Sequence, residues 1–136
     1  MPKFSKRSKD ALATCHPELQ LLFNEIIKYW DCSIIEGYRN QEDQDAAYDR
    51  GASKLKYPHG KHNQNPSLAV DVYPWPVKGL KPQDYYLFGG FVLGVAKMLK
   101  NEGKMKCDLR YGADWNGNHR ISDERFLDAV HFEIKV

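Results

Sequence analysis

The sequence predicts an α+β fold, a small antiparallel sheet with helices packed on one side. Three observations carry that expectation. Two segments repeat apolar residues every three or four positions, as a helix with one buried face does. Two others alternate apolar and polar residues, as a strand with one buried face does. Polar stretches rich in Pro, Gly, Asn and Asp separate them and break both patterns. At 136 residues the chain is expected to form one domain over 1–136, with residues 1–10 as a loose basic N-terminal arm.

The first helix starts at Pro17. Leu19, Leu22, Phe23, Ile26, Ile27 and Trp30 make its apolar stripe, while Pro17 and Glu18 suit its first turn. Cys32 to Gly37 is β-prone and reads as a strand. A second helix runs to about Arg50, with Asn40 as its N-cap and Gly51 as its stop. Arg39 therefore stands at a strand-to-helix junction. Residues 52–67 read as a loop. In the strand Leu68 to Tyr73, Val70 and Val72 face one way and Ala69, Asp71 and Tyr73 the other. Pro82 to about Asn101 is a long helix with a stripe of Phe88, Phe91, Val92, Val95, Ala96 and Leu99. Cys107 to Tyr111 is a strand, and Gly112 to Asp123 a loop. The last strand, Val130 to Val136, sets Val130, Phe132, Ile134 and Val136 on one face and His131, Glu133 and Lys135 on the other.

Composition narrows the function classes. A 42% apolar share with three Trp, eight Tyr and six Phe supports a packed core. A net charge of +2 is too small to argue for nucleic-acid binding. No run reaches the roughly 18 apolar residues of a membrane span, so stable membrane insertion is not expected. The basic start has no apolar segment behind it, and no secretory signal is expected. Cys15, Cys32 and Cys107 are widely spaced and form no CxxC pair, which favours reduced thiols over a disulfide or a cysteine-based zinc site.

Two stretches carry the chemistry. Gly60 to Pro74 places His62 and Asp71 at the ends of a turn-and-strand unit; Asp128 to Glu133 supplies His131. Two histidines, one carboxylate and an open fourth position suit a catalytic zinc, which makes hydroxide available near neutral pH. Asp is depleted in strands, so Asp71 needs a partner there. If the two strands are neighbours, Asp71 and His131 reach one cleft. Asp128, three residues before His131, is a candidate general base. Arg39 is a candidate for holding a substrate carboxylate or an oxyanion. Alternatives stand beside each of these. His59 competes with His62, Asp128 could cap a turn, and Arg39 could simply pair with Glu36 or Glu42. His16 and His119 read as structural.

The chain resembles the phage-type members of the M15 family of zinc peptidases, the D-alanyl-D-alanine carboxypeptidase and L-alanyl-D-glutamate endopeptidase group. Four segments carry the resemblance: the opening through His16-Pro17-Glu18-Leu19; Glu36-Gly37-Tyr38-Arg39 with Gln44 and Gly51-Ala52-Ser53-Lys54; Lys61-His62-Asn63 through Pro66-Ser67-Leu68-Ala69-Val70-Asp71-Val72-Tyr73-Pro74; and Gly112-Ala113-Asp114-Trp115 with Asp123 through Asp128-Ala129-Val130-His131-Phe132-Glu133. The resemblance implies the Hedgehog/D-Ala-D-Ala-peptidase-like fold. It implies a Zn2+ held by His62, Asp71 and His131, with Asp128 as catalytic carboxylate and Arg39 on the substrate side. Gln44 and Trp115, within the matched blocks, are expected to bind substrate.

There are two departures. His62 and Asp71 are nine positions apart, where the commonest family form has seven. The structure is expected to differ from the common pattern at this loop. The catalytic carboxylate is Asp, where many bacterial members have Glu.

The implied activity is that of a phage endolysin cutting the peptidoglycan stem peptide. It would act as a monomer, made in the host cytoplasm and released through a separate pore-forming protein. A D-alanyl-D-alanine carboxypeptidase is the rival within the enzyme class. A zinc-stabilised wall-binding module is the rival outside it, and the presence of both Asp128 and Arg39 argues against that. A small nuclease using His62 and Asn63 is disfavoured by the low charge.

Overall fold

The computed structural model describes residues 2–135. Its strands are β1 (Cys32–Glu36), β2 (Ala69–Pro74), β3 (Asp108–Tyr111) and β4 (His131–Lys135). They form one antiparallel sheet in the order β1-β2-β4-β3. The helices are α1 (Lys6–Leu12), α2 (Pro17–Ile26), α3 (Gln41–Asp49) and α4 (Pro82–Asn101), and a single 3-10 turn covers Lys61–Asn63. The expected α+β class is borne out, and every expected element is present.

Strand alternation decides which face is the core. Val70, Val72, Phe132 and Ile134 are fully buried on one side of the two central strands. Leu19, Leu22, Phe23 and Ile26 of α2, and Phe88, Val92, Ala96 and Leu99 of α4, cover them. Phe132 is the hub. It stacks on Tyr111 at 4.8 Å and meets Phe23 and Phe88 edge-on at 5.6 and 6.2 Å. Trp30 reaches the same core from the turn after α2, packing on Phe88 and Phe91 at 5.3 Å. Val136, expected on this face, lies outside the described residues. Cys15, Cys32 and Cys107 are free thiols. Burial pushes Cys15 and Cys32 up to about 12, which makes them inert packing residues.

Of the expected loose arm over residues 1–10, Met1 lies outside the described residues, and the rest is not the loose arm the charge pattern suggested. The Ser5 hydroxyl caps α1 by accepting the Ser8 N–H at 3.2 Å, and Phe4, Ser8 and Leu12 are buried. The Ser8 hydroxyl in turn accepts the Ile34 N–H at 3.0 Å, so α1 covers the outer edge of β1. Phe4, Ser8 and Leu12 stand four apart, but the middle one is polar and lysines surround them, so no apolar stripe shows in the sequence.

The opposite face of the sheet carries Asp71, His131 and Glu133. The polar loop 52–67 and α3 border it.

Candidate active site

Asp71 on β2 and His131 on β4 are directly opposite in the ladder, so pleating sends both side chains to the same polar face. His62 comes from the 3-10 turn, which is tied down at several points. The Arg39 N–H donates to the His62 carbonyl at 2.7 Å, and the Leu68 N–H to the Lys61 carbonyl at 3.1 Å. Asn63 donates its amide to the Arg39 carbonyl at 3.0 Å and to Gln44 Oε1 at 3.2 Å, while its Oδ1 accepts the Gly60 N–H at 2.9 Å. The result is that His62 Nε2 lies 3.2 Å and His131 Nδ1 3.4 Å from Asp71 Oδ1. The donor atoms of these three residues all fall within 4.8 Å of one another, so the group can hold a metal ion. Between His62 and Asp71 the chain leaves the 3-10 turn, runs through residues 64–68 and enters β2. His59 is exposed, and of the two histidines it is His62 that joins the group. His16 caps α2 through the Glu18 N–H.

The chemistry of this donor set fits a divalent cation. His62 Nδ1 is 2.7 Å from the Gly37 carbonyl. A carbonyl only accepts, so Nδ1 carries a hydrogen and Nε2 is the nitrogen turned toward Asp71, where its lone pair could serve a metal. His131 Nε2 is 2.9 Å from Glu133 Oε1, which likewise leaves Nδ1 facing Asp71. Lone pairs aimed at a carboxylate repel it unless positive charge lies among them. Four carboxylates, Glu36, Asp71, Asp128 and Glu133, gather here, with Arg39 among them and Arg110 Nε 4.0 Å from Glu133. Buried negative charge of that size calls for a counter-charge. In the protein alone, protons supply part of it. Burial disfavours an imidazolium, yet the hydrogen bonds to Asp71 and Glu133 outweigh it and His131 is pushed up to about 9. Burial also opposes charge on Asp71, but the two histidines hold it well below the usual carboxylate range.

Asp128 borders the group, its Oδ2 3.9 Å from His131 Nδ1. Its backbone is clamped to the end of β3: the Asp128 N–H donates to the Gly112 carbonyl at 2.8 Å, and the Gly112 N–H to the His131 carbonyl at 2.8 Å. Only glycine allows this approach, because a Cβ at Gly112 would collide with the Asp128 carbonyl. Burial, with Asp71 nearby, raises the Asp128 carboxyl above its ordinary value. A carboxyl so raised is a better proton acceptor.

Arg39 is 8% exposed and extensively bonded. Its Nε and Nη2 donate to the two Glu36 oxygens at 3.0 and 2.8 Å, its Nη1 to Gln44 Oε1 at 3.0 Å, and Nη2 lies 3.6 Å from Asp71 Oδ2. A bulge in β1 places Glu36 opposite Asp71, and the guanidinium separates these two like charges. The pairing with Glu36 and the place beside the site are both realised. Gln44, expected at the substrate, is 1% exposed and stands behind Arg39. Its amide nitrogen donates to Ser53 Oγ at 2.9 Å and the Leu55 carbonyl at 2.6 Å. Trp115 borders the site, its ring 5.4 Å from His131 and stacked on Phe126, with its indole N–H donated to the Phe126 carbonyl at 2.7 Å. A cleft of about 330 Å³ opens onto Arg39, His62, Asp128, His131, Trp115 and Phe126.

Residues 1–135 match the family of phage L-alanyl-D-glutamate peptidases. The chain belongs to that family. It is 31% identical over 138 residues to the L-alanyl-D-glutamate peptidase of Escherichia phage T5, covering 97% of each chain. Its fold is that of the Serratia marcescens L-Ala D-Glu endopeptidase ChiX, with a TM-score of 0.72, 21% identity, and coverage of 98% of this chain and 91% of that one. The resemblance read from the motifs is therefore borne out.

In this member of the phage L-alanyl-D-glutamate peptidase family, three residues support the site; Glu133 and Asn63 were not assigned that role from the sequence, while Glu36 is a partner expected for Arg39. Glu133 orients His131, Glu36 saturates Arg39, and Asn63 pins the His62 turn. Glu133 had a signal, since it shares the polar face of β4 with His131 two positions on. The carboxylate on a ligand histidine fixes its tautomer and strengthens its lone pair. Glu133→Ala is therefore expected to weaken metal binding by roughly 10–100-fold, and Glu133→Gln by less because its oxygen still accepts. Competition with a chromogenic chelator measures both.

Proposed function

We propose that the protein is a zinc-dependent endopeptidase that cuts the L-alanyl-D-glutamate bond of the peptidoglycan stem peptide. The observation that carries this reading is the convergence of His62 Nε2, Asp71 Oδ1 and His131 Nδ1 beside Asp128, in a chain of the phage L-alanyl-D-glutamate peptidase family. His62, Asp71 and His131 would hold the ion, and the two-nitrogen, one-oxygen donor set suits zinc. A zinc ion there supplies Lewis acidity, easing the deprotonation of water and polarising a carbonyl.

The residues of the chain do the rest. Asp128 takes a proton from the attacking water and returns it to the departing amine of the glutamate as the C–N bond breaks. The water oxygen ends in the alanine carboxylate. Arg39 lies 3.6 Å from Asp71 Oδ2 and helps hold that carboxylate in place, and its charge favours the oxyanion that develops on the carbonyl. Trp115 and Phe126 form an apolar wall that excludes water and orients the peptide. All these groups come from one chain, which supports action as a monomer. The phage family supports accumulation in the host cytoplasm, with release to the wall through a separate pore-forming protein.

Incubating the zinc-loaded protein with defined stem peptides tests the reading. The expected product carries a new amino terminus on D-glutamate, seen by mass spectrometry. Release of free D-alanine instead would make the protein a carboxypeptidase, and that outcome would sink the endopeptidase assignment.

A further inference from the structure

A glutamate inside a peptide chain uses one carboxyl for the chain and leaves the other free. An enzyme that cuts beside it has a negative charge to receive or to tolerate. Resting on the endopeptidase reading above, the question is which residue meets that charge. Arg39 is poorly placed to do so, since its donors are committed to Glu36 and Gln44 and it is nearly enclosed. Two lysines also line the cleft. Lys61 stands close enough to Glu133 to stabilise its charge. Lys54 has no acidic partner within salt-bridge distance among the described residues, and its Nζ lies 5.1 Å over the Phe126 ring.

Lys54 is placed with some care. Its neighbours Ser53 and Leu55 are both gripped by the Gln44 amide. Ser53 Oγ also donates to the Leu55 carbonyl at 3.1 Å and accepts the Leu55 N–H at 3.1 Å. The Ser53 hydroxyl before Lys54 and the Leu55 carbonyl after it are thus anchored to the residue that also holds Arg39. Phe126 belongs to the opposite wall, stacked on Trp115 two positions before Asp128. Lys54 therefore reaches across the cleft from a fixed base, and a cation over an aromatic face keeps its ammonium group partly free to donate.

The geometry points to Lys54 as the residue that receives the free carboxylate of the glutamate next to the cut bond, so that the enzyme selects glutamate over its amidated form. Lys56 is a built-in control. Its Nζ lies 4.9 Å over the Tyr48 ring, the same kind of contact, but it does not line the cleft.

The experiment compares two stem peptides, one with D-glutamate and one with D-isoglutamine at the same position. Wild type, Lys54→Met, Lys54→Arg and Lys56→Met are each loaded with zinc. A charge-assisted contact of this kind corresponds to about a tenfold effect. Wild type is expected to favour the glutamate peptide about tenfold in kcat/KM. Lys54→Met should abolish the preference by raising KM for that peptide alone. Lys54→Arg should restore most of it, and Lys56→Met should match wild type. Equal losses on both peptides in Lys54→Met, or an unchanged preference, would overturn the assignment. Failure of wild type to cut either peptide at the alanine–glutamate bond would instead sink the endopeptidase reading, and the role of Lys54 with it.

Discussion

Asp128→Ala is expected to lower kcat on a stem peptide by about 10²–10⁴-fold while zinc content stays stoichiometric. The argument rests on what the side chain does and does not hold. Its carboxylate is 3.9 Å from His131 and makes no short hydrogen bond, whereas its backbone N–H and carbonyl are both tied into the β3–β4 end. Truncation at Cβ therefore removes the proposed base without freeing the loop. It also removes a carboxylate that Asp71 repels, so thermal stability should hold or rise slightly. Asp128→Asn should be as inactive as the alanine variant, because an amide keeps the shape and loses the basicity. Asp128→Glu tests the longer side chain found in other members of the group. Lytic activity that survives Asp128→Ala with zinc bound normally would defeat the assignment of the base.

His131→Ala is expected to have the second large effect, this time on the metal and on stability together. It deletes one of the three proposed ligands, so zinc affinity should fall further than the roughly 10–100-fold that loss of an outer partner costs. It also strands two carboxylates. Glu133 is 6% exposed and loses the imidazole 2.9 Å away, and Asp71 Oδ1 loses one of its two nitrogen neighbours. Breaking one side of a buried charge pair costs about 3–5 kcal/mol, so the melting temperature should drop clearly. Metal analysis beside a thermal melt separates the two consequences. His62→Gln is the companion variant, since its side chain pairs with a carbonyl and a single carboxylate and should lose zinc with a smaller drop in melting temperature. Stoichiometric zinc in folded His131→Ala protein would contradict the proposed site.

Much of this arrangement is legible in local pattern. The alternation in β2 and β4 assigns Val70, Val72, Phe132 and Ile134 to one face and Asp71, His131 and Glu133 to the other, because side chains on a strand have no other choice. The Asn40 cap and the stripes of α2 and α4 are equally local. What escaped is what depends on a distant partner. The α1 segment looks like a charged arm until β1 offers an unpaired N–H for Ser8 to accept. Gln44 shares a motif with Arg39 and lines the same cleft, but its surroundings are not local. Its burial, and its bonds to Ser53, Leu55 and Asn63, are set by a loop that sequence spacing cannot locate.

By itself the sequence determined the fold class, the polar faces of the two central strands, and the residue types a zinc peptidase needs. These follow from side-chain periodicity and donor chemistry, which are properties of short stretches. Tertiary structure alone decided that Asp71 and His131 stand directly opposite one another, that Gln44 is enclosed behind Arg39, and that Arg39 is spent on both Glu36 and Gln44. Those outcomes turn on strand register and on hydrogen bonds between segments far apart in the chain. A shift of one residue in the ladder would turn Asp71 or His131 into the core, so the site exists only because the buried valines and Phe132 hold that register.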